Sequence, residues 1–302
     1  MDFSPLVTLA REMGCTVTAD APMAAATTFR VGGPADLLID LPDNKAAAAV
    51  LRCCHENGIP YFWLGNGSNL LVGDRGIRGA VLRLDKGQEP RLTENGCIVA
   101  PAGMSLQRLC LFAREHSLTG LEFAYGIPGT VGGAVYMNAG AYDGQMADIV
   151  TEACCVTPTG EETRLTAEEL AMTYRHTALM ERGDIVLNVT LRLQTGEQEA
   201  IATRMKELMG RRQEKQPLEY PSAGSFFKRP AGYFAGALVE QTGLKGFTVG
   251  GAQVSEKHAG FVINRGGATA ADIRRLCEEV QERVFAAHGV HLEPEVRFVG
   301  EF

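Results

Sequence analysis

Between Glu122 and Tyr142 the chain reads EFAYGIPGTVGGAVYMNAGAY, with glycines at 126, 129, 132, 133 and 140 and one formal charge at its start. Such a stretch suits neither a helix nor a strand, because glycine loses the most backbone entropy on ordering and offers no side chain to pack. Glycine-rich backbone does approach ligands closely, and its N–H groups then cradle phosphate oxygens. A second glycine loop, GNGSNLLV from Gly65 to Val72, follows the apolar run Tyr61–Leu64, which reads as a buried strand. Strand, glycine turn and more apolar chain is a phosphate-loop layout. The pattern G-x-G-x-x-G would need glycine at position 70, where this chain has Leu70, and G-x-x-x-x-G-K-[ST] occurs nowhere. A nucleotide-like ligand is therefore expected, held by neither of the two commonest nucleotide folds. Either loop alone also reads as an ordinary tight turn.

The chain has 302 residues, which fits two or three domains rather than one core. Its 45% hydrophobic and 22% charged residues are those of an ordinary globular protein. A net charge of −7 argues against nucleic-acid binding by a broad basic face. No apolar run approaches the ~18 residues of a membrane span, so no membrane insertion is expected. The N-terminal MDFSPLVTLAREMG lacks a basic start followed by an apolar core, so no secretory signal is expected. The eight cysteines include the adjacent pairs Cys53-Cys54 and Cys154-Cys155, and no C-x-x-C occurs. Buried thiols in a reducing cytosol are expected, rather than disulfides or zinc ligands.

Asp43 is placed to cap a helix from Asn44 to Gly58, and Ser105 to cap another. Tyr61–Leu64, Ala80–Leu84 and Cys97–Ala100 read as strands. Ile149–Thr157 and Glu161–Leu165, joined by Thr-Pro-Thr-Gly, read as an antiparallel hairpin, and Ile185–Leu193 as a half-buried strand. Gly196–Gln216 is a charged helix with Ile201, Met205 and Leu208 on one stripe. The run QPLEYP reads as an extended linker and a domain boundary. Beyond it, Gly232–Thr242 reads as a short helix. Phe247–Val249, Ala252–Ser255 and Gly260–Asn264 read as short strands. Thr269–Ala287 is the clearest helix, opened by a Thr-x-x-Asp capping box and stopped at Gly289. Val290–Val299 reads as a final strand.

Three residues stand out chemically. Ser225 follows Gly224 in a turn and precedes two phenylalanines; it suits a ligand contact, a cap, a turn or a reacting group. No G-x-S-x-G elbow is present, which argues against a hydrolase nucleophile. Glu295 follows Pro294 among Val, Leu and Phe. A carboxylate there is costly unless it is paired, used or turned to solvent. Arg175, in Tyr174-Arg-His-Thr, is either a solvated arginine or a planar two-pronged donor for a carboxylate or phosphate. His288 and His291 match no metal-ligand spacing, so no metal is expected.

Taken in order, TFRVGGPAD from Thr28, GNGSNLL, GIPGTVGGAVYMNAGAY, Tyr174-Arg175, PSAGSFFKRP, KHAGFVIN from Lys257 and LEPEVRFVG form one pattern. It resembles the UDP-N-acetylenolpyruvoylglucosamine reductases, flavoenzymes of bacterial cell-wall precursor synthesis, from about residue 20 to the end. The resemblance implies an α+β fold with an FAD-binding domain of the p-cresol methylhydroxylase/vanillyl-alcohol oxidase type, at about 28–193, and a C-terminal α+β substrate domain. It divides the chain at 1–84, 85–215 and 216–302. It implies non-covalent FAD as cofactor and NADPH and a UDP-sugar as reactants, with no obligatory protein partner and a cytoplasmic setting. The implied FAD-binding residues are Arg30, Gly65, Asn66, Gly67, Ser68, Asn69 and Leu70, then Gly126, Ile127, Pro128, Gly129, Gly132, Gly133, Ala134, Asn138 and Gly140. The implied catalytic residues are Ser225, which protonates the substrate carbon, and Glu295 and Arg175, which stabilise the enolate-like state. Tyr174, Arg212, Lys228, Gln241, His258 and Asn264 are expected to line the substrate cleft. The family also has a longer form with an inserted tyrosine-bearing loop over the UDP; this chain resembles the shorter type. Another flavin oxidase of the same fold, or a non-catalytic flavin- or UDP-sugar-binding module, is the competing reading.

Overall fold

A computed structural model describes all residues, Met1–Phe302. The chain forms two compact units. The first comprises Met1–Ala19, Leu37–Asn66 and Gly79–Arg211; the second comprises Asp20–Asp36, Gly67–Arg78 and Arg212–Phe302.

The first unit is built around a five-stranded antiparallel sheet in the order Glu162–Thr166, Val150–Val156, Ile185–Leu191, Ile98–Pro101, Arg91–Leu92. The expected hairpin is its first pair, with Glu152 opposite Thr166 and Val156 opposite Glu162. In a four-stranded sheet, Tyr61–Trp63 runs parallel to Ile77–Leu84. Tyr61–Trp63 is only half-buried, and the fully buried residue of that run is Leu64. Two helices start where their caps predict. Asp43 accepts from the N–H of Ala46 at 2.8 Å and opens Asn44–Glu56. Ser105 accepts from Arg108 N at 3.2 Å and opens Leu106–Glu115. Leu106, Leu109, Cys110 and Ala113 face the core of this unit, which also takes Ile201 and Met205 from the helix Gln198–Lys215.

The second unit has its own core. A four-stranded sheet in the order Ser222–Ser225, Phe261–Asn264, Ala252–Val254, Thr248–Val249 supports the helix Ala270–His288. Thr269 and Asp272 form the expected capping box, and Gly289 ends the helix at φ +68°. Ile273, Leu276, Val280 and Val284 lie on its buried face. Phe29, Val31 and Leu71, distant in sequence, complete this core, with Phe29 edge-on to Phe226 at 6.3 Å.

Two readings need correction. The glycine-rich segment is not wholly irregular, because Val131–Tyr136 forms a short helix capped by Thr130. The run Val290–Val299 is a strand only over Arg297–Val299, which pairs in parallel with Leu70–Val72. Upstream, the N–H groups of Glu295 and Val296 both point at the carbonyl of Phe226, at 2.8 and 3.5 Å, which interrupts a regular ladder. Seven of the eight cysteines are buried and Cys154 is half-buried; burial pushes the thiols of Cys54, Cys155 and Cys277 up to about 12. Such thiols stay protonated and unreactive near neutral pH.

Candidate flavin and substrate sites

In the first unit the two glycine loops meet. The backbone of Leu64 is tied to Leu82 O at 2.8 Å, which carries the chain out of the sheet at Gly65. Asn66 donates from Nδ2 to Pro128 O at 2.8 Å and accepts from Lys86 Nζ at 2.9 Å. Burial, then the charge of Arg83, lowers the pKa of Lys86. A Cβ on Gly65 would lie 2.8 Å from Thr130 Oγ1, so this glycine lets the loops touch. Thr130 turns its hydroxyl to Gly133 N at 3.3 Å and starts the helix Val131–Tyr136.

The glycines of this segment fall into two kinds. A Cβ on Gly132 would meet Ala102 Cβ at 2.8 Å, and one on Gly140 would meet Gly144 O at 2.8 Å. The fold itself requires those two. At Gly129 the nearest protein atom would be 3.6 Å away, at Gly133 3.3 Å, and neither has a positive φ. A Cβ at Gly129 would make ordinary contact with Leu106 and Ile127, and one at Gly133 would press only on the Thr130 hydroxyl, so packing demands less of these two, and Gly133 is exposed. That is the arrangement a closely approaching cofactor needs.

Arg175 sits in a tight turn whose ends, Thr173 and His176, pair through their backbones. Its φ is +55°, and its Nη1 lies 3.5 Å from Asn138 O. Tyr174 is exposed, with the Arg175 guanidinium 5.0 Å from its ring centroid.

In the second unit, Gly67 has φ +62°, and a Cβ there would fall 2.3 Å from Ala26 O. Thr28 N donates to Gly67 O at 3.1 Å, and Arg30, exposed, also has positive φ. Asn69 grips the final segment twice: its Nδ2 donates to Glu295 O at 3.1 Å, and its carbonyl accepts from Arg297 N at 3.0 Å. Leu70 opens the strand that continues this pairing.

Ser225 ends a bulged strand in which Gly224 takes φ +79°. Ser225 is exposed, while Phe226 and Phe227 beside it are buried. The segment then pairs with the chain around Glu295: Phe227 bridges Pro294, Lys228 N donates to Glu293 O, and Glu295 N donates to Phe226 O. The structure thus brings Ser225 and Glu295 onto neighbouring hydrogen-bonded segments. Lys228 forms an ion pair with Glu293.

The remaining expected residues are dispersed. His258 accepts from Gly260 N at 3.1 Å and stacks edge-on to Phe261; burial, then Lys245, lowers its pKa. Asn264 is buried and clasps Phe29 O, Gly266 N and Ala268 N. Gln241 is exposed at the end of the helix Ala235–Gln241, and Arg212 is buried in the last turn of Gln198–Lys215. Lys86 and Thr130, beside the loops, escaped the sequence reading. A threonine three residues before Gly133 is a capping signal that glycine enrichment obscured.

A family model described as the C-terminal domain of UDP-N-acetylenolpyruvoylglucosamine reductase matches residues 216–299, and an FAD binding domain matches residues 35–166. UDP-N-acetylenolpyruvoylglucosamine reductases of Clostridium perfringens and Agathobacter rectalis are 48% and 50% identical to the chain over 94% of its length, covering 93% and 94% of their own. The chain belongs to the UDP-N-acetylenolpyruvoylglucosamine reductase family. The crystal structure of the reductase from Thermus caldophilus superposes with a TM-score of 0.81 at 36% identity, over 94% of this chain and 98% of that one. A glucooligosaccharide oxidase from Acremonium strictum, at 12% identity and a TM-score of 0.50 over 93% of this chain and 58% of that one, shares the fold alone. The FAD-binding fold is therefore of the p-cresol methylhydroxylase/vanillyl-alcohol oxidase type. FAD is the cofactor of this reductase family member, and the FAD-domain match spans Gly65 and the whole segment from Gly126 to Gly140. Gly129 and Gly133, the glycines that the protein's own packing constrains least and of which Gly133 is exposed, fit it. No helix is long and apolar enough to cross a membrane.

Proposed function

We propose that the chain reduces the enolpyruvyl ether of UDP-N-acetylglucosamine to UDP-N-acetylmuramate with NADPH. The observation that carries this reading is the identity of about half of all residues with reductases of that name across 94% of the chain. The backbone at Gly65–Leu70 and Gly126–Gly140 would hold FAD, which would supply the hydride chemistry linking NADPH to the substrate's methylene carbon.

Charge then builds on the neighbouring carbon and spreads into the substrate carboxylate. The chain must stabilise that charge and supply one proton. Arg175 is assigned to the carboxylate, because its planar fork donates two hydrogen bonds. Glu295, half-buried, is assigned to the same charge through a shared proton. Ser225 is assigned the proton: its exposed hydroxyl is a weak acid, sufficient because the carbanion is strongly basic. The FAD-binding role goes to the backbone from Gly126 to Gly140 and from Gly65 to Leu70, with Arg30. The UDP-sugar role goes to Tyr174, Arg212, Lys228, Gln241, His258 and Asn264. Division of the chain at 1–84, 85–215 and 216–302 belongs to the same proposal. So does a cytoplasmic setting, which supplies NADPH and UDP-sugars and keeps thiols reduced.

The test is anaerobic. NADPH should bleach the bound flavin, and addition of the enolpyruvyl substrate should restore its absorbance with release of UDP-N-acetylmuramate. Bleaching without recovery would leave a flavin reductase of another specificity.

A further inference from the structure

Asn138 is among the residues expected at the flavin, but its side-chain amide is taken up by other protein groups, so only its backbone is left for the flavin. Asn138 is buried, with 1% of its surface exposed. Both of its amide hydrogens are used: Nδ2 donates to Gln145 Oε1 at 3.1 Å and to Thr173 O at 3.0 Å. Its Oδ1 accepts from Ala147 N at 2.9 Å, and its own carbonyl faces Arg175 Nη1 at 3.5 Å. Thr173 is the residue at which the Tyr174-Arg175 turn closes. The turn is thus held at its entry by the Asn138 side chain, and its arginine reaches back to the Asn138 backbone. Just past the turn, buried Thr177 donates from Oγ1 to Tyr136 O at 3.0 Å. The chain at 136–138, at the end of the glycine-rich segment, therefore grips the Arg175 turn on both sides.

Conformation adds a second argument. Arg175 has φ +55°, a region that disfavours any residue with a Cβ. Such a conformer persists only where its surroundings over-determine it, and these cluster at functional sites. Asn138 also has positive φ, at +41°, just past the helix Val131–Tyr136, where asparagine is the tolerated alternative to glycine. Glycine at 138 would serve the backbone as well, so the asparagine is explained by its side chain.

We infer that Asn138 is a positioning residue that holds the Arg175 turn in its reactive geometry. The inference rests on the proposed role of Arg175 toward the substrate carboxylate. Displacement of a positioned group by about 1 Å costs up to about a hundredfold in rate.

Two substitutions separate the side chain from the backbone. Asn138→Gly keeps the permitted conformation and removes every side-chain bond. Asn138→Asp keeps the acceptor for Ala147 N and removes both donors. In each holoenzyme, flavin content, thermal midpoint, the rate of flavin reduction by NADPH and the rate of reoxidation by the enolpyruvyl substrate are measured. Reoxidation should slow about 10- to 100-fold. Flavin reduction should stay within about twofold of the parent, because on this reading Arg175 acts only on the enolpyruvyl substrate. In an Arg175→Ala background, Asn138→Asp should cost nothing further, the signature of a residue that acts through its partner. Normal reoxidation in both Asn138 variants, with Arg175→Ala impaired, would overturn the positioning role alone. Normal reoxidation in Arg175→Ala would remove the reading beneath it. Loss of flavin, of fold or of both half-reactions together in the two Asn138 variants would make Asn138 structural and overturn the inference.

Discussion

The glycine-rich segment of the first unit and the paired segments around Ser225 and Glu295 in the second present chemistry in opposite ways. From Gly126 to Gly140 the working surface is backbone, and the side chains around it serve mainly to hold loops together, as Asn66 and Thr130 do. From Phe226 to Lys228 the backbone is occupied by pairing with 293–296, Phe226 and Phe227 are buried, and what Ser225 turns outward is its side chain. A substitution in the first region adds volume, against the protein itself at Gly132 and Gly140 and on the proposed cofactor side at Gly129. One in the second removes a functional group and leaves the frame standing. Damage to the first should therefore appear in cofactor binding, and damage to the second in single chemical steps.

The largest effect should come from Ser225→Ala. Loss of a positioned proton donor costs about 100- to 10,000-fold. Stopped-flow traces should show that loss only in reoxidation by the enolpyruvyl substrate, with NADPH reduction near normal and Ser225→Cys intermediate. Equal slowing of both half-reactions would move Ser225 into the same class as the glycines. Next come Arg175→Lys and Glu295→Gln. Each removes a group proposed to stabilise the developing charge, and a loss of about 3–4 kcal/mol, roughly a few hundredfold, is expected in reoxidation. Lysine keeps the charge but not the planar fork, so rescue by Arg175→Lys would refute the fork argument.

Within the glycine segment, Gly129→Val and Gly132→Val should part company. The protein leaves room for a Cβ at Gly129, so that variant should fold and purify without flavin. At Gly132 the new carbon would press on Ala102, and overpacking of this kind costs about 1–3 kcal/mol. Thermal melts with flavin quantification distinguish the two. Full flavin occupancy in Gly129→Val would remove that residue from the cofactor surface.

The smallest effect tests the frame of the second unit. Backbone N–H bonds from Thr269, foremost, hold the Asp272 carboxyl below its usual value of 3.8. A depressed carboxylate contributes stability above that value, and the contribution fades as pH falls through the lower folded value. Asp272→Asn should lower stability by about 0.5–1 kcal/mol at pH 7, since the site is open to solvent and screened. The gap to the parent should narrow below pH 3.8, as followed by urea unfolding. A gap unchanged by pH would assign the whole effect to neutral hydrogen bonding.

Local chemistry was legible in the chain. Asp43, Ser105 and Thr269 cap the helices they precede because a cap bonds to a backbone N–H three residues on, within the same few residues of sequence. The hairpin at 150–166 was legible for the same reason. The glycine motifs, the Tyr174-Arg175 pair and the segments around Ser225 and Glu295 were enough to name the family and its cofactor.

Elements whose partners lie nearby, and motifs that name a chemistry, can thus be read from the chain alone. The rest depends on the folded arrangement, through bonds that span tens to hundreds of positions. Asp74 accepts from Ala270 N and Ala271 N, 196 and 197 residues away, and so caps a helix whose local cap already looked complete. Phe29 and Leu71 join a core made mostly of residues beyond 220. Val131–Tyr136 is helical despite two glycines because Thr130 caps it and Gly132 packs against Ala102. Asn138 reads in the sequence as a flavin contact, and only the folded chain sets it beside Thr173 and Arg175. Propensity measures what a residue prefers among its neighbours in sequence. Burial and long-range hydrogen bonding are set by which segments meet, and no short window of sequence contains both partners.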